Sequence, residues 1–186
     1  MEAPLQKLHD PLLEVHEVSL WIKREDLLHP HISGNKWRKL KYNLQAAREQ
    51  RKSTLLTFGG AYSNHIAATA AAGKEYGFKT VGIIRGEEHL PLNPTLSFAA
   101  TCGMELHYIS REEYRQKSDA SFLKEIATQF NYPYIIPEGG TNNLAVKGCT
   151  EIVQDINIAY DYICCAAGTG GTIAGIIVGV AGEKQV

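Results

Sequence analysis

The chain has 186 residues, with 19 Lys and Arg against 20 Asp and Glu, which leaves a formal net charge of −1. A near-neutral chain lacks the basic footprint of nucleic-acid binders and the polybasic anchor of membrane binders, so we expect neither partner. The 44% hydrophobic and 21% charged residues are typical of a globular protein, and no apolar run is long enough for a transmembrane helix. The N-terminal segment also lacks the continuous apolar core of a signal peptide, and together these features predict a cytoplasmic protein.

The four cysteines and seven histidines do not follow the spacing of a zinc or redox motif. Two of the cysteines are adjacent in an apolar run, and free cysteines are usually buried, so we predict four buried, reduced thiols. His29 and His31 are close in sequence but have no third ligand nearby, and no metal site is predicted. The cysteines are Cys102, Cys149, Cys164 and Cys165.

Short β-rich runs alternate with longer helical segments along the chain, which is the pattern of βαβ units and a mostly parallel sheet. Strands are predicted at residues 18–26, 53–58, 80–84, 105–109, 134–136 and 160–166. Helices are predicted at residues 35–51, 64–76, 94–102, 112–130, 143–156 and 172–180. This order predicts an α/β fold, and the alternation stops after the last helix without an element that closes it.

The first candidate functional segment is residues 33–40, where Lys36 lies just inside a predicted helix N-terminus. The positive end of the helix dipole and the neighbouring cations Arg38 and Lys39 disfavour a charged amine, so we expect a lowered pKa for Lys36. A neutral lysine amine can attack a carbonyl carbon and form a Schiff base. The alternative is that these cations form an ordinary solvated helix face.

The second candidate segment, residues 57–65, follows a predicted strand and opens a helix whose free amides can bind a carboxylate or phosphate. Ser63, Asn64 and His65 would present a hydroxyl, an amide and an imidazole at the carboxyl edge of the sheet, where open α/β sheets bind ligands. Ser63 is also a good helix cap, which is a simpler interpretation of it. No G-x-S-x-G motif surrounds Ser63, which argues against a serine hydrolase.

The third candidate segment, residues 166–172, joins a predicted strand to a helix and combines three glycines with two threonine hydroxyls. Such a loop can hold a phosphate on its backbone amides. It lacks the lysine of a P-loop and the third glycine of G-x-G-x-x-G, so it suits a monophosphate better than a dinucleotide, and tight packing is the alternative. An amine nucleophile, a phosphate loop and a carboxylate loop together point to pyridoxal 5′-phosphate.

The segments SGNKWRKLKYNL, GGAYSNH, PEGGTN and GTGGT resemble, in order and spacing, the pyridoxal-phosphate-dependent enzymes of the tryptophan synthase β-like fold type. The resemblance is nearest to the 1-aminocyclopropane-1-carboxylate deaminase and D-cysteine desulfhydrase family. It implies two three-layer α/β/α domains, a small one at residues 52–158 and a larger, cofactor-binding one at residues 1–51 and 159–186. Members of this family are longer, so the resemblance also implies a C-terminally truncated chain whose larger domain is incomplete.

The resemblance implies a role for each candidate side chain. Lys36 would be catalytic as the Schiff-base lysine, and Ser63 would bind the substrate carboxylate and assist proton transfer. Lys39 and His65 would lie at the substrate, and Asn64 would contact both the substrate and the ring hydroxyl of the cofactor. The phosphate would be bound by Gly168, Thr169, Gly170, Gly171 and Thr172.

The function implied by the resemblance is that of a lyase or hydrolase of amino-acid metabolism, which releases a 2-oxo acid and ammonia from a small amino acid. His65 favours a D-cysteine desulfhydrase-like enzyme, because deaminase-like members tend to carry Gln there. A 1-aminocyclopropane-1-carboxylate deaminase is the alternative, and a catalytically inactive pyridoxal-phosphate-binding fragment is an alternative of another class. Residues 66–68 depart from the basic-polar pair of the family, which leaves the substrate open, and a homodimer is expected of the full-length form.

Overall fold

The elements of the structure, a computed structural model that describes residues 2–186, follow the predicted alternation with local differences. In chain order they are β1 (Leu5–Lys7), α1 (Pro11–Val15), β2 (Trp21–Lys23), a 3-10 turn (Glu25–Leu27), α2 (Asn35–Glu49), β3 (Thr54–Gly59), α3 (Asn64–Tyr76), β4 (Lys79–Arg85), α4 (Pro94–Thr101), β5 (Met104–Ile109), α5 (Arg111–Arg115), α6 (Ala120–Gln129), β6 (Tyr134–Ile136), a second 3-10 turn (Glu138–Gly140), α7 (Asn143–Gln154) and α8 (Gly171–Val180). None of the helices in residues 2–186 has both the length and the apolar character that crossing a membrane requires.

A four-stranded parallel sheet in the order β5-β4-β3-β6 forms the middle layer of the fold. Successive side chains of a strand point to opposite faces, so each strand contributes to two cores. Leu56 and Phe58 of β3 pack with residues of α5 and α6 on one face of the sheet. Leu55 of β3 and Ile84 of β4 pack with residues of α2, α3 and α4 on the other face. Helices therefore cover both faces, and the predicted α/β class is confirmed.

Helices α2, α7 and α8 pack side by side next to this sheet, and glycines allow the close approach. A Cβ atom on Gly148 of α7 would lie 1.9 Å from the carbonyl oxygen of Arg38, and one on Gly175 of α8 would lie 2.2 Å from Cβ of Cys149. No larger residue fits at these crossings without a shift of the helix backbone. The packing brings the first turns of α2 and α8 together, where the Asn35 amide donates to Thr172 Oγ1 at 2.6 Å.

The helix predicted at residues 112–130 is wrong as a single element, because the structure divides it into α5 and α6. Ser110 and Glu113 form a capping box that starts α5, and α5 ends at Arg115. Asp119 then takes an extended conformation as the N-cap of α6. The Asp119 side chain makes no capping hydrogen bond, but its negative charge suits the positive end of the helix dipole better than a helix interior.

The strand predicted at residues 160–166 is also wrong. Among residues 2–186 this segment forms only an isolated bridge between Tyr162 and Gln185, outside any named strand. A strand must pair its backbone groups with a neighbouring strand, and apolar composition alone does not supply that neighbour. At the other end of the chain, the strand predicted at 18–26 shortens to β2, which pairs antiparallel with the unpredicted β1.

The same segment corrects the prediction for the cysteines. All four are free, and Cys149 is buried between α7 and α8. Cys164 is exposed and Cys165 is only half-buried, because residues 160–166 do not form an interior strand. Cys102, at the end of α4, is also only half-buried. The prediction of four buried thiols is therefore wrong, although the thiols are unpaired as expected.

Candidate functional site

A cavity of about 510 Å³ lies at the carboxyl edge of the sheet, where the first residues of three helices meet. Lys36 is the second residue of α2, Ser63 is the N-cap of α3 and Gly170 is the N-cap of α8. The N-terminal ends of helices carry positive partial charge and unpaired N–H groups, so this cavity suits anionic ligands. Of the predicted site residues, the cavity is lined by Lys36, Lys39, Ser63, Asn64, His65, Gly168, Thr169, Gly170 and Thr172.

Lys36 is half-buried in the cavity wall and its ammonium donates to the Asn35 side-chain oxygen at 2.6 Å. Burial lowers the pKa of Lys36, and the charge of Lys39 lowers it further. The predicted direction of the shift and the contribution of Lys39 are confirmed. The predicted contribution of Arg38 is wrong, because Arg38 points away from the cavity into a group of carboxylates. Lys36 is therefore more easily deprotonated to the nucleophilic amine than a solvated lysine.

Lys39 is only 2% exposed, and protein oxygens accept all three protons of its ammonium. The acceptors are the Gly139 carbonyl at 2.9 Å, Thr141 Oγ1 at 3.3 Å and Thr169 Oγ1 at 3.4 Å. Burial lowers its pKa. Lys39 thus ties α2 to the turn after β6 and to the loop before α8, and it places a positive charge beside that loop.

His65 is buried at the base of the cavity, and its hydrogen bonds define its tautomer. The Thr57 hydroxyl has a single proton and donates it to the Ile136 carbonyl at 2.8 Å. Thr57 Oγ1 must therefore accept from Nε2–H of His65, which lies 2.8 Å away. The other ring nitrogen, Nδ1, has no hydrogen-bond partner among the described residues. Burial, together with the charges of Lys36 and Lys39, lowers the pKa of His65 to about 3, so its imidazole is neutral near pH 7.

We expect His65→Gln to make the fold more resistant to acid. The pKa of His65 is about 3 in the folded chain against 6.5 in a solvated histidine, so the unfolded chain binds the proton more readily below pH 6.5. The stability that neutral His65 provides is fully present above pH 6.5 and is lost as the pH falls towards 3. Urea unfolding at pH 7 and pH 4 should show an extra acid loss on the order of 3 kcal/mol in the parent protein relative to His65→Gln. The matched control His16→Gln removes an exposed imidazole, and an equal acid response of His65→Gln and parent would contradict the prediction.

The loop before α8 presents unused hydrogen-bond donors to the cavity. Gly170 has φ +85°, and a Cβ on Gly168 or Gly170 would meet no atom within 4 Å, so the loop faces open space. The backbone amides of residues 168–172 donate to no acceptor in residues 2–186. Gly171 starts α8 and is buried against Thr141 and the Lys39 ammonium rather than lining the cavity. The loop therefore offers several amides and the half-buried Thr172 to one anionic group.

The second candidate segment caps a helix and also faces the cavity. The Ser63 hydroxyl accepts from the Ile66 amide at 3.3 Å, which confirms Ser63 as an N-cap. Asn64 is exposed on the cavity wall. The cavity wall also includes Arg85 and Glu138, which the sequence analysis missed. Arg85 ends β4 and Glu138 follows β6, so the strand-end rule that identified Ser63 would have identified both.

Comparisons with known proteins are consistent with this geometry. The profile of the family described as pyridoxal-phosphate dependent enzyme matches residues 2–185. The chain is 36% identical over 197 residues to the mitochondrial bifunctional D-cysteine desulfhydrase/1-aminocyclopropane-1-carboxylate deaminase of Arabidopsis thaliana, covering 96% of this chain and 49% of that protein. It is 29% identical over 190 residues to the D-cysteine desulfhydrase of Serratia proteamaculans, covering 96% of this chain and 57% of that protein.

A solved structure of an ACC deaminase homologue superposes on the chain with a TM-score of 0.82 at 30% sequence identity. The match covers 97% of this chain and 56% of that one. The chain thus spans about half the length of the curated relatives it matches.

Proposed function

The chain belongs to the family of pyridoxal-phosphate dependent enzymes, and we propose that its cavity binds the cofactor of an amino-acid lyase or deaminase. The observation that carries the proposal is that Lys36 lines the same cavity as residues 168–170 and Thr172, whose backbone amides are free. The donors fit the group, since an amine of lowered pKa suits an aldehyde and amides at a helix start suit a phosphate.

We assign the residues to roles from these positions. When bound, pyridoxal phosphate supplies an aldehyde that links to amines and a ring that accepts electron density from the substrate. Lys36 would hold the cofactor through its amine, and that amine would also serve to move a proton at the α or β carbon of the substrate. Ser63 and Asn64 would orient the substrate carboxylate, and the Asn64 amide would also bind the ring hydroxyl of the cofactor. Residues 168–172 hold the phosphate, beside the charge of Lys39.

The remaining contacts keep these groups in place. His65 and Lys39 form hydrogen bonds with backbone and hydroxyl oxygens of the protein. These bonds fix the base of the cavity, on the side where we place the substrate. Burial, and then the charge of Lys39, lower the pKa of Lys36. Lys36 therefore becomes the free amine more easily than a solvated lysine does.

The substrate that we propose is D-cysteine, which would react with water to release hydrogen sulfide, ammonia and a 2-oxo acid. The names of the Arabidopsis and Serratia relatives and the histidine at position 65 support this choice. The name of the Arabidopsis relative and the solved homologue also support the second candidate, 1-aminocyclopropane-1-carboxylate deamination. The third candidate is a chain that binds the cofactor without turnover.

We extend the proposal to the organisation of the protein. The division into a small domain at residues 52–158 and a larger domain at residues 1–51 and 159–186 is supported by the four-stranded sheet, which lies within the first range. A cytoplasmic location is supported by the four free thiols. The full-length protein is proposed to be a homodimer, as an expectation from the family resemblance, with a small amino acid as its ligand.

A side-by-side assay of D-cysteine, L-cysteine and 1-aminocyclopropane-1-carboxylate tests the function. We expect 2-oxo acid and sulfide from D-cysteine with the cofactor-loaded protein, and at least about tenfold less product from L-cysteine, because a carboxylate site fixes the configuration at the α carbon. Keto-acid release from the cyclopropane alone would favour the deaminase. Turnover of none of the three, with the cofactor bound, would favour the inactive binder.

A further inference from the structure

Arg85 is a cation of the cavity that the proposed roles leave unused. Lys39 donates all its protons to protein oxygens, and the Glu138 carboxylate accepts from Tyr114 at 2.9 Å and pairs with Lys117 at 3.4 Å. Arg85 also lines the cavity, but it has neither an ion pair nor a side-chain hydrogen bond within residues 2–186. A guanidinium carries five N–H donors and is always charged, so it is equipped to bind an anion there.

The Arg85 side chain is exposed, and its guanidinium lies beside two neighbours. Its central carbon lies 5.6 Å from the centre of the Tyr114 ring, and Tyr114 is itself buried and bonded to Glu138. Its Nη2 atom lies 3.4 Å from the position that a Cβ on Gly60 would occupy. Stacking on an aromatic face leaves the edge of the guanidinium free for a planar partner such as a carboxylate.

Gly60 belongs to the loop that carries Ser63 and Asn64. The backbone amides of Asn64 and His65, at the start of α3, have no acceptor among the described residues. A carboxylate at this loop would meet the Arg85 guanidinium, the Ser63 hydroxyl and these amides. We propose that Arg85 pairs with the α-carboxylate of the amino-acid substrate, an inference that rests on the proposed function and names a further residue of its binding site.

The test compares two amines that differ only in the carboxylate, D-alanine and ethylamine, on the cofactor-loaded full-length protein. Dissociation constants are read from the change in cofactor absorbance on binding, without turnover. Arg85→Gln is expected to weaken D-alanine at least about tenfold, since a charge-assisted bidentate pair is lost, and ethylamine less than about twofold. Arg85→Lys should restore part of the D-alanine affinity. Arg111→Gln is the matched control, because Arg111 lies near Gly86 and does not line the cavity.

The following outcomes would contradict the assignment of Arg85 to the substrate carboxylate. Equal weakening of D-alanine and ethylamine by Arg85→Gln would indicate a distorted cavity, and the same loss in Arg111→Gln would indicate a general effect of charge. An unchanged affinity for D-alanine would show that Arg85 does not contact the carboxylate. A wild-type protein without the absorbance of lysine-bound cofactor would overturn the proposed function itself, and the role of Arg85 with it.

Discussion

Replacing Lys36 with alanine is expected to abolish the covalent link between the protein and pyridoxal phosphate and to lower turnover by about 10³-fold or more. The variant loses the amine that attacks the aldehyde and also the group that moves the substrate proton. The visible absorbance of the lysine-bound cofactor should disappear, while the far-UV circular dichroism stays unchanged, because Lys36 is only half-buried and bonds only to the neighbouring Asn35.

Lys41→Ala is the matched control on the same helix. Lys41 is exposed and pairs with Glu151 outside the cavity, so its loss removes one positive charge from α2 without touching the site. We expect the cofactor absorbance of Lys41→Ala to equal that of the parent protein. If Lys36→Ala retains the band, the nucleophile is another amine, and the assignment of Lys36 is wrong.

Local signals in the sequence account for the elements that were predicted closely. Helix α3 has its predicted bounds, because Ser63 caps its start and Gly77, at φ +76°, ends it in the left-handed conformation that glycine adopts without strain. Strand β6 also has its predicted bounds. Three segments that lie far apart in sequence meet in one cavity, since each follows the end of a strand or starts a helix, and those ends share one edge of the fold.

Long-range contacts account for what was not predicted. The apolar run at residues 160–166 has the composition of a strand, but a strand also needs a neighbour, which no local pattern supplies. Arg38 is close to Lys36 in sequence, so its charge was predicted to lower the pKa of Lys36. Its partners lie 13 to 117 residues away, and no periodicity relates these positions.

The buried guanidinium of Arg38 joins α2 to the rest of the fold through ion pairs. It is 2% exposed and forms a bidentate pair with Glu25 at 2.9 and 3.1 Å. It also bonds to Glu151 at 3.2 Å and to Asp155, both from the α7 region. Burial opposes the charge, but hydrogen bonds to Glu25 and Asp155 raise the pKa of Arg38 above its ordinary value. These bonds fix the first turn of α2, which carries Lys36 and Lys39.

Arg38→Met is expected to lower the free energy of unfolding at pH 7 by about 3–5 kcal/mol, because it leaves the carboxylates of Glu25 and Asp155 without their cation and Glu151 with Lys41 alone. The loss should shrink as the pH falls towards 4. Acid removes the repulsion between these uncompensated negative charges in the folded variant, so it stabilises the folded form of the variant more than the unfolded form. Urea unfolding at both pH values measures this. Arg24→Met is the matched control, since Arg24 forms an exposed pair with Asp26 and its loss should change little. If Arg38→Met loses the same free energy of unfolding at both pH values, the loss comes from poor packing of the methionine. The ion pairs of Arg38 would then not be what holds the first turn of α2, which carries Lys36.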